Sequence, residues 1–321
     1  MKETPKQMRK SIKKIVPLIL LTLAFGVSAK ADPRVYVTME GNDQNPCTQS
    51  SPCRTITHAL NVVDGGGEVV VAESGDYDQI LIGRSVTIAA APGVNAGIVM
   101  NTAAASVIAN TQPTDSVTFR NLNFKSTAPN FPADGIINVS AGTLVVEGCT
   151  FSGFGRAISM SVPGQLYVHD TRILACDTGI SLGMPLTVTE GLLNAVIDHC
   201  RIEQSNTMGL FISSRVLAHV RDCVIAGSVS GWGVRVLSNR ANNLAEAELD
   251  NCEISGNATG IFANTTNGGF ASARLSRSVI TRNTTGVAVG QPNTTVFTMQ
   301  NNVIEANVTN VSGALSPANL K

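Results

Sequence analysis

The chain has 321 residues, 23 Lys and Arg against 23 Asp and Glu, with charged residues making up only 14% of it. Globular chains usually carry about a quarter charged residues, so a coiled coil with charged flanks is excluded. The 43% hydrophobic content excludes disorder. Glycine, at 29, outnumbers all aromatics together, which argues against a helical bundle.

Residues 1–31 hold seven basic groups and one acid, Glu3. Lys2, Lys6, Arg9, Lys10, Lys13 and Lys14 precede an apolar run from Ile15 to Val27, and Ala29-Lys30-Ala31 follows the small-x-small cleavage rule. The segment reads as a secretory signal cut before Asp32, and the run is too short to span a bilayer with ease. The mature chain is expected to be secreted or periplasmic and not embedded in a membrane. It carries 16 basic and 22 acidic groups, with only Lys125 and Lys321 as lysines. Nucleic acid is a poor partner for such a chain, because phosphate binding needs a basic footprint.

Residues 32–96 read as a cap and first coils. Tyr36-Val37-Thr38 is a predicted strand, followed by a polar, proline-containing loop with Cys47 and Cys53. In an exported chain these two cysteines are expected to form a local disulfide. Ile56, Leu60 and Val63 at helical spacing, with Thr55 as N-cap, predict a short helix that plugs the end of the fold. Gly65-Gly66-Gly67 leads into the strand Glu68–Val71, and Ser85-Val86-Thr87-Ile88 begins the coil pattern.

From residue 97 to 321 the chain repeats itself. FRNLNF (119–124), VEGCTF (146–151), VHDTRI (168–173), IDHCRI (197–202), VRDCVI (220–225), LDNCEI (249–254), LSRSVI (275–280) and MQNNVI (299–304) align at a mean spacing of about 26 residues. Their fourth position runs Leu122, Cys149, Thr171, Cys200, Cys223, Cys252, Ser278, Asn302. A second column of Gly135, Ala157, Gly179, Gly209, Gly233, Gly260, Gly286 and Asn310 is followed each time by an aliphatic residue. Such short alternating stretches are strand chemistry, and no crossover helix fits between them. Three short strands per coil predict an all-β, single-stranded right-handed parallel β-helix with a short N-terminal capping helix. Each coil stacks about 4.8 Å above the last, and neighbours complete one another's core. Length variation falls in 183–194, 237–246 and 264–272, so loops should emerge along one edge.

The run from Tyr36-Val37 through Asn45-Pro46-Cys47-Thr48, Pro52-Cys53-Arg54-Thr55-Ile56, Gly66-Gly67-Glu68-Val69, Gly75-Asp76-Tyr77 and Pro92-Gly93 resembles the start of bacterial secreted right-handed parallel β-helix proteins. Together with the Gly-Ile repeats, the resemblance is to the pectin-lyase-like superfamily. It implies a β-helix fold and a sugar lying along the strand face headed by the Gly column. It does not imply one activity, since fold and function separate. Lyases of the superfamily commonly hold Ca²⁺ with clustered carboxylates and use Arg or Lys as base. Hydrolases use paired carboxyl groups.

On the Gly-headed face, Ile137, Ser159, Ser181, Phe211, Arg235, Phe262, Ala288 and Ser312 should point outward. Trp232, Arg235 and Phe211, with Phe262, are candidates for sugar binding through aromatic stacking and Arg–carboxylate pairing, and Asp134 and Arg156 share the face. The same aromatics can equally fill space beneath the long loops. Two residues before the cysteine column stand Arg120, Glu147, His169, Asp198, Arg221 and Asp250. His169, Asp198 and Arg221 are the candidates for acid, base and anion clamp, and a solvated ladder of opposite charges accounts for the same residues. Buried thiols at Cys149, Cys200, Cys223 and Cys252 behave as small hydrophobes. One stacked column with His199 supplies a tetrahedral zinc site poorly, so no metal is expected. Cys176 is expected to be partly exposed. Asn-x-Ser/Thr triplets at Asn257, Asn264, Asn283, Asn293 and Asn307 suit bent backbone at turns.

These readings lead to an exported β-helix protein that binds, and as an enzyme would degrade or modify, an extended polysaccharide. An enzyme of this kind would be a polysaccharide lyase or glycoside hydrolase, with Ca²⁺ required only for a lyase. The alternatives are a non-catalytic cell-surface protein without a carbohydrate ligand and a copper-handling accessory protein, like the β-helix partners of nitrous-oxide reductase.

Overall fold

A computed structural model describes residues 32–318 apart from 103, 131, 132 and 291, and the expected signal segment 1–31 lies outside the described residues. Three sheets, of twelve, ten and ten strands, run the length of this unit. The twelve-stranded sheet goes from Asp32–Val37 to Leu315–Pro317, a short-strand sheet from Gly75–Tyr77 to Val303–Glu305, and the Gly-headed sheet from Ile80–Ile82 to Thr309–Ser312. Every strand pairs in parallel with its counterpart one coil on, as Val216–Arg221 does with Leu244–Asp250. Parallel crossovers of this type wind right-handed. The protein is a right-handed parallel β-helix.

One residue per coil turns the corner from the twelve-stranded to the short-strand sheet. Asn121, Asp170, His199, Asp222, Asn251 and Arg277 do so with φ between 47° and 55°. Asn, Asp and His tolerate this left-handed conformation best among residues with a side chain, which explains most of that column. The next residue is the cysteine column, and it points inward. Cys149, Cys200, Cys223 and Cys252 are buried, and Arg201, Val224 and Glu253 hold register on successive coils just beyond the last three. Turning the corner leaves a backbone N–H inside. Cys200 donates its N–H to Sγ of Cys223 at 3.3 Å, Cys149 to Oγ1 of Thr171 at 3.4 Å, and Cys252 to Oγ of Ser278 at 3.1 Å. Cys, Thr and Ser share the column because each is small and carries an acceptor. Cys176 is also buried, correcting the expectation of partial exposure: just ahead of the Gly-headed strand Thr178–Leu182, its Sγ lies inside, 3.7 Å from the Leu174 carbonyl oxygen.

The apolar columns stack in the core. Phe124 and Phe151 lie face to face at 4.6 Å, and Ile173, Ile202, Ile225, Ile254 and Ile280 continue above them, all buried. Each such side chain contributes about 1.5–3 kcal/mol of transfer free energy. Glycine heads the third sheet because neighbouring backbone comes close: a Cβ on Gly209 would sit 2.6 Å from the carbonyl oxygen of Gly233.

At the N-terminal end a helix, Ile56–Val62, buries Ile56, Ala59 and Leu60. Oγ1 of Thr55 caps it by accepting from the backbone N–H of His58 at 3.1 Å. The Cys47–Cys53 disulfide is present in the preceding loop. Asp43 ties that loop to the helix, accepting from the N–H groups of Arg54 and Thr55, both at 2.9 Å, and from the Thr55 hydroxyl at 2.8 Å. Among the described residues no helix is long and apolar enough to cross a membrane.

Candidate functional site

The Gly-headed sheet presents most of the expected column outward, with Ser181, Phe211, Arg235, Phe262 and Ala288 in register on successive coils, but Ser159, one coil before Ser181, is buried. Trp232 stands three residues before Arg235 on the same strand and stacks on Phe262, ring centroids 6.1 Å apart and 16° from parallel. The Arg235 guanidinium carbon lies 4.4 Å from the centre of the Trp232 ring and 5.9 Å from that of Phe211. Its Nε is buried and meets no hydrogen-bond acceptor. Burial holds this guanidinium below the ordinary arginine range, with no carboxylate offsetting it. Cation–π contact of this kind supplies part of the lost hydration. Trp232, Arg235 and Phe211 therefore come together as one half-buried patch with Phe262.

Asp134 and Arg156 belong elsewhere. They share a column with Trp232, but Arg156 lies three coils away, about 14 Å by ladder spacing. Arg156 grips Asp134 with two hydrogen bonds of 3.1 and 2.6 Å, and the pair neutralises itself. Asp134 is the only carboxylate that the described Gly-headed strands contribute. Ca²⁺ takes six to eight oxygen ligands, so these strands do not fit the Ca²⁺ centre of a lyase.

Two arginines that sequence reasoning missed shape the edge of this face. Arg240 donates to the carbonyl oxygens of Val188 at 2.5 Å, Met184 at 3.3 Å and Pro185. Arg215 donates to the Gly191 carbonyl at 2.9 Å and to Oδ1 of Asn243 at 3.1 Å. The connection 183–192 is thereby strapped to later coils. Loop arginines have no fixed place in the repeat, so alignment gives no signal for them.

A second constellation lies at the corner between the other two sheets. Here His169, Asp198 and Arg221 do meet. Nη2 of Arg221 donates to Oδ2 of Asp198 at 2.8 Å, and Nδ1 of His169 is 3.4 Å from the same oxygen. Asp198 is buried, although its column was expected to point outward into solvent. The Arg221 hydrogen bond, opposed by burial and reinforced by the charges of Arg221 and His199, holds the Asp198 carboxyl below the usual carboxylate range. The expected ladder is only partly present. Arg120 pairs with Glu147 at 2.8 Å, but Asp250 is held by Arg277 from the corner position rather than by Arg221. His199, at the same corner, brings Nδ1 to 2.8 Å from Oδ1 of Asp198. Its place next to Asp198 in sequence was the available signal. The cysteine column forms no metal-ligand group among the described residues.

Residues 39–97 match a family described as a protein of unknown function (DUF1565). No curated protein matches the chain. Among solved structures, the chain is similar to an alginate lyase from Paenibacillus sp. str. FPU-7, at 15% identity over 88% of this chain and 99% of that one, with a TM-score of 0.61. It is also similar to the GH136 lacto-N-biosidase from Eubacterium ramulus, at 11% identity over 88% of this chain and 67% of that one, with a TM-score of 0.51. The likeness is one of fold: the chain, like these two, is a parallel β-helix.

Proposed function

We propose that this protein is an exported, non-catalytic binder of an extended anionic polysaccharide, which lies along the outer face of the Gly-headed sheet. The observation that carries the reading is Arg235, a guanidinium held between the rings of Trp232 and Phe211 with no carboxylate paired to it. Desolvating a cation without a partner costs free energy, and a uronate carboxylate arriving from solvent would recover it. Phe262 and Trp232 add flat apolar surface on which a pyranose ring can stack. Binding without cleavage is favoured because acid–base hydrolysis needs two carboxyl groups across the scissile bond, whereas these strands offer one, held by Arg156. Export is supported by the Cys47–Cys53 disulfide and by the basic and apolar pattern of residues 1–31.

The test is calorimetric titration of the full chain with alginate and polygalacturonate oligosaccharides, against neutral xylan and cellulose oligosaccharides. Binding should be confined to the uronans, weaken with salt, and fall at least tenfold in Arg235→Gln and Trp232→Ala. Failure to bind any uronan overturns the reading. Release of unsaturated uronides or new reducing ends overturns its non-catalytic half.

A further inference from the structure

We propose that His169, Asp198 and His199 form a site for one divalent transition-metal ion of the Zn²⁺ type, at the corner between the twelve-stranded and short-strand sheets. This site is independent of the glycan-binding face. The donor atoms of the three side chains lie within 4.8 Å of one another. The other group of potential ligands among the described residues, Cys47, Cys53 and His58, has two members spent in the disulfide.

The arrangement of donor atoms points to a cation. Nε2 of His169 lies 3.1 Å from Oδ2 of Asp170, and Nε2 of His199 lies 4.0 Å from Oδ2 of Asp222. Asp170 thus flanks the outer edge of His169, whereas Asp222 stands beyond hydrogen-bond reach of His199. A carboxylate on the outer edge orients the ring of a metal-binding histidine. Both Nδ1 atoms then face Asp198, at 3.4 Å from Oδ2 and 2.8 Å from Oδ1. Lone pairs facing a carboxylate repel unless a proton or a cation stands between them.

Oδ1 of Asp198 is buried and has no hydrogen-bond partner of good geometry. Arg221 occupies Oδ2 only, so Oδ1 remains available as a ligand. The rings meet nearly edge to face, 79° apart with centroids at 5.6 Å. A tetrahedral ion with bonds of about 2.0–2.1 Å separates its ligand atoms by about 3.3 Å, which small rotations of these side chains reach. Asp170, Asp198 and Asp222 against Arg221 leave two negative charges locally, matching a dication. Two imidazoles and a carboxylate suit Zn²⁺ rather than the all-oxygen preference of Ca²⁺, and leave a fourth position for water. Because His169 belongs to one coil and Asp198 and His199 to the next, the ion would pin the two together.

The experiment is calorimetric titration of the metal-stripped full chain with ZnCl₂ at neutral pH, with melting temperature recorded in parallel. One Zn²⁺ per chain should bind, with a rise in melting temperature that saturates at one equivalent. His199→Asn, which keeps a left-handed-tolerant residue at the corner, and His169→Gln should each weaken binding at least tenfold. His219→Gln should not. Absence of saturable binding overturns the proposal, as does binding unchanged in the His169→Gln/His199→Asn double variant. If a variant fails to fold, ¹⁵N imidazole spectra of the unmodified chain serve instead. Zinc must shift the Nδ1 resonances of two histidines, and no shift overturns the site.

Discussion

The backbone N–H of Asn257 donates to Oδ1 of Asn283 one coil on at 2.9 Å, and the Asn257 side-chain amide donates to the same oxygen at 3.0 Å. Asn283 repeats this with Asn307, at 2.9 and 3.0 Å. Asn257 and Asn283 are both buried. Their Asn-x-Ser/Thr setting therefore serves backbone at the turn ahead of the Gly-headed strands, and no glycan could reach either amide. Replacing Asn283 with Ala strands the Asn257 N–H inside the protein, which costs about 1–3 kcal/mol. Thermal melting of the folded chain should show the loss, and an unchanged midpoint would refute the ladder's role.

The inward thiols should be chemically silent. Burial pushes Cys149 and Cys252 up to about 12 and Cys176 up to about 11. Cys223 is raised as well, first by its hydrogen bond with Cys200 and then by burial, while the same bond lowers Cys200, which burial alone keeps from reagent. Thiolate is the reactive form. At pH 8 a disulfide dye should label none of the five free cysteines in the folded chain and all five after denaturation. Rapid labelling of the folded protein would contradict the core assignment.

Asp43 makes the N-terminal loop acid-sensitive. Burial acts to raise its pKa, but hydrogen bonds from Thr55 and Arg54 outweigh it and hold the carboxyl below its ordinary 3.8. A depressed folded value means the contribution is complete above the unfolded pKa and disappears as pH falls through the folded one. Reduction of Cys47–Cys53 by a phosphine should therefore accelerate below about pH 4. In Asp43→Ala the fast rate should already hold at neutral pH. Equal rates in the two proteins at pH 7 would dismiss the tether.

Arg240 should control the connection 183–192. Arg240→Met removes its bonds to the carbonyls of Met184, Pro185 and Val188 while keeping a side chain of similar length. Limited proteolysis should then cut within 183–192 at least several-fold faster, with little change in melting temperature. A cleavage rate equal to that of the unaltered chain would show that Arg215 alone suffices.

The winding was legible because equivalent residues recur about every 26 positions, and strand register places Ile202, Ile225 and Ile254 on successive coils as that spacing requires. The patch of Phe211, Trp232 and Arg235 was legible for the same reason: one column gives the face, and neighbouring rungs give the contacts. Asp198 was misread because alternation along a strand gives the direction of a side chain and not what covers it: Asp198 keeps register with His169 and Arg221, and these two with His199 close over its carboxylate. The pairing of Asp134 with Arg156 escaped notice because each was weighed alone, although they are direct register partners. Arg215 and Arg240 act from connections whose lengths differ between coils, where no periodic rule applies.

Because strand pairing ties each coil only to the one before and the one after, force applied along the axis meets few braces that span more than one coil boundary, Arg240 being one. The chain should yield by peeling layer by layer from an end, each layer resisting in turn, rather than by one collapse. Among the described residues, the helix and disulfide guard the first layer, so this end should be the last to peel.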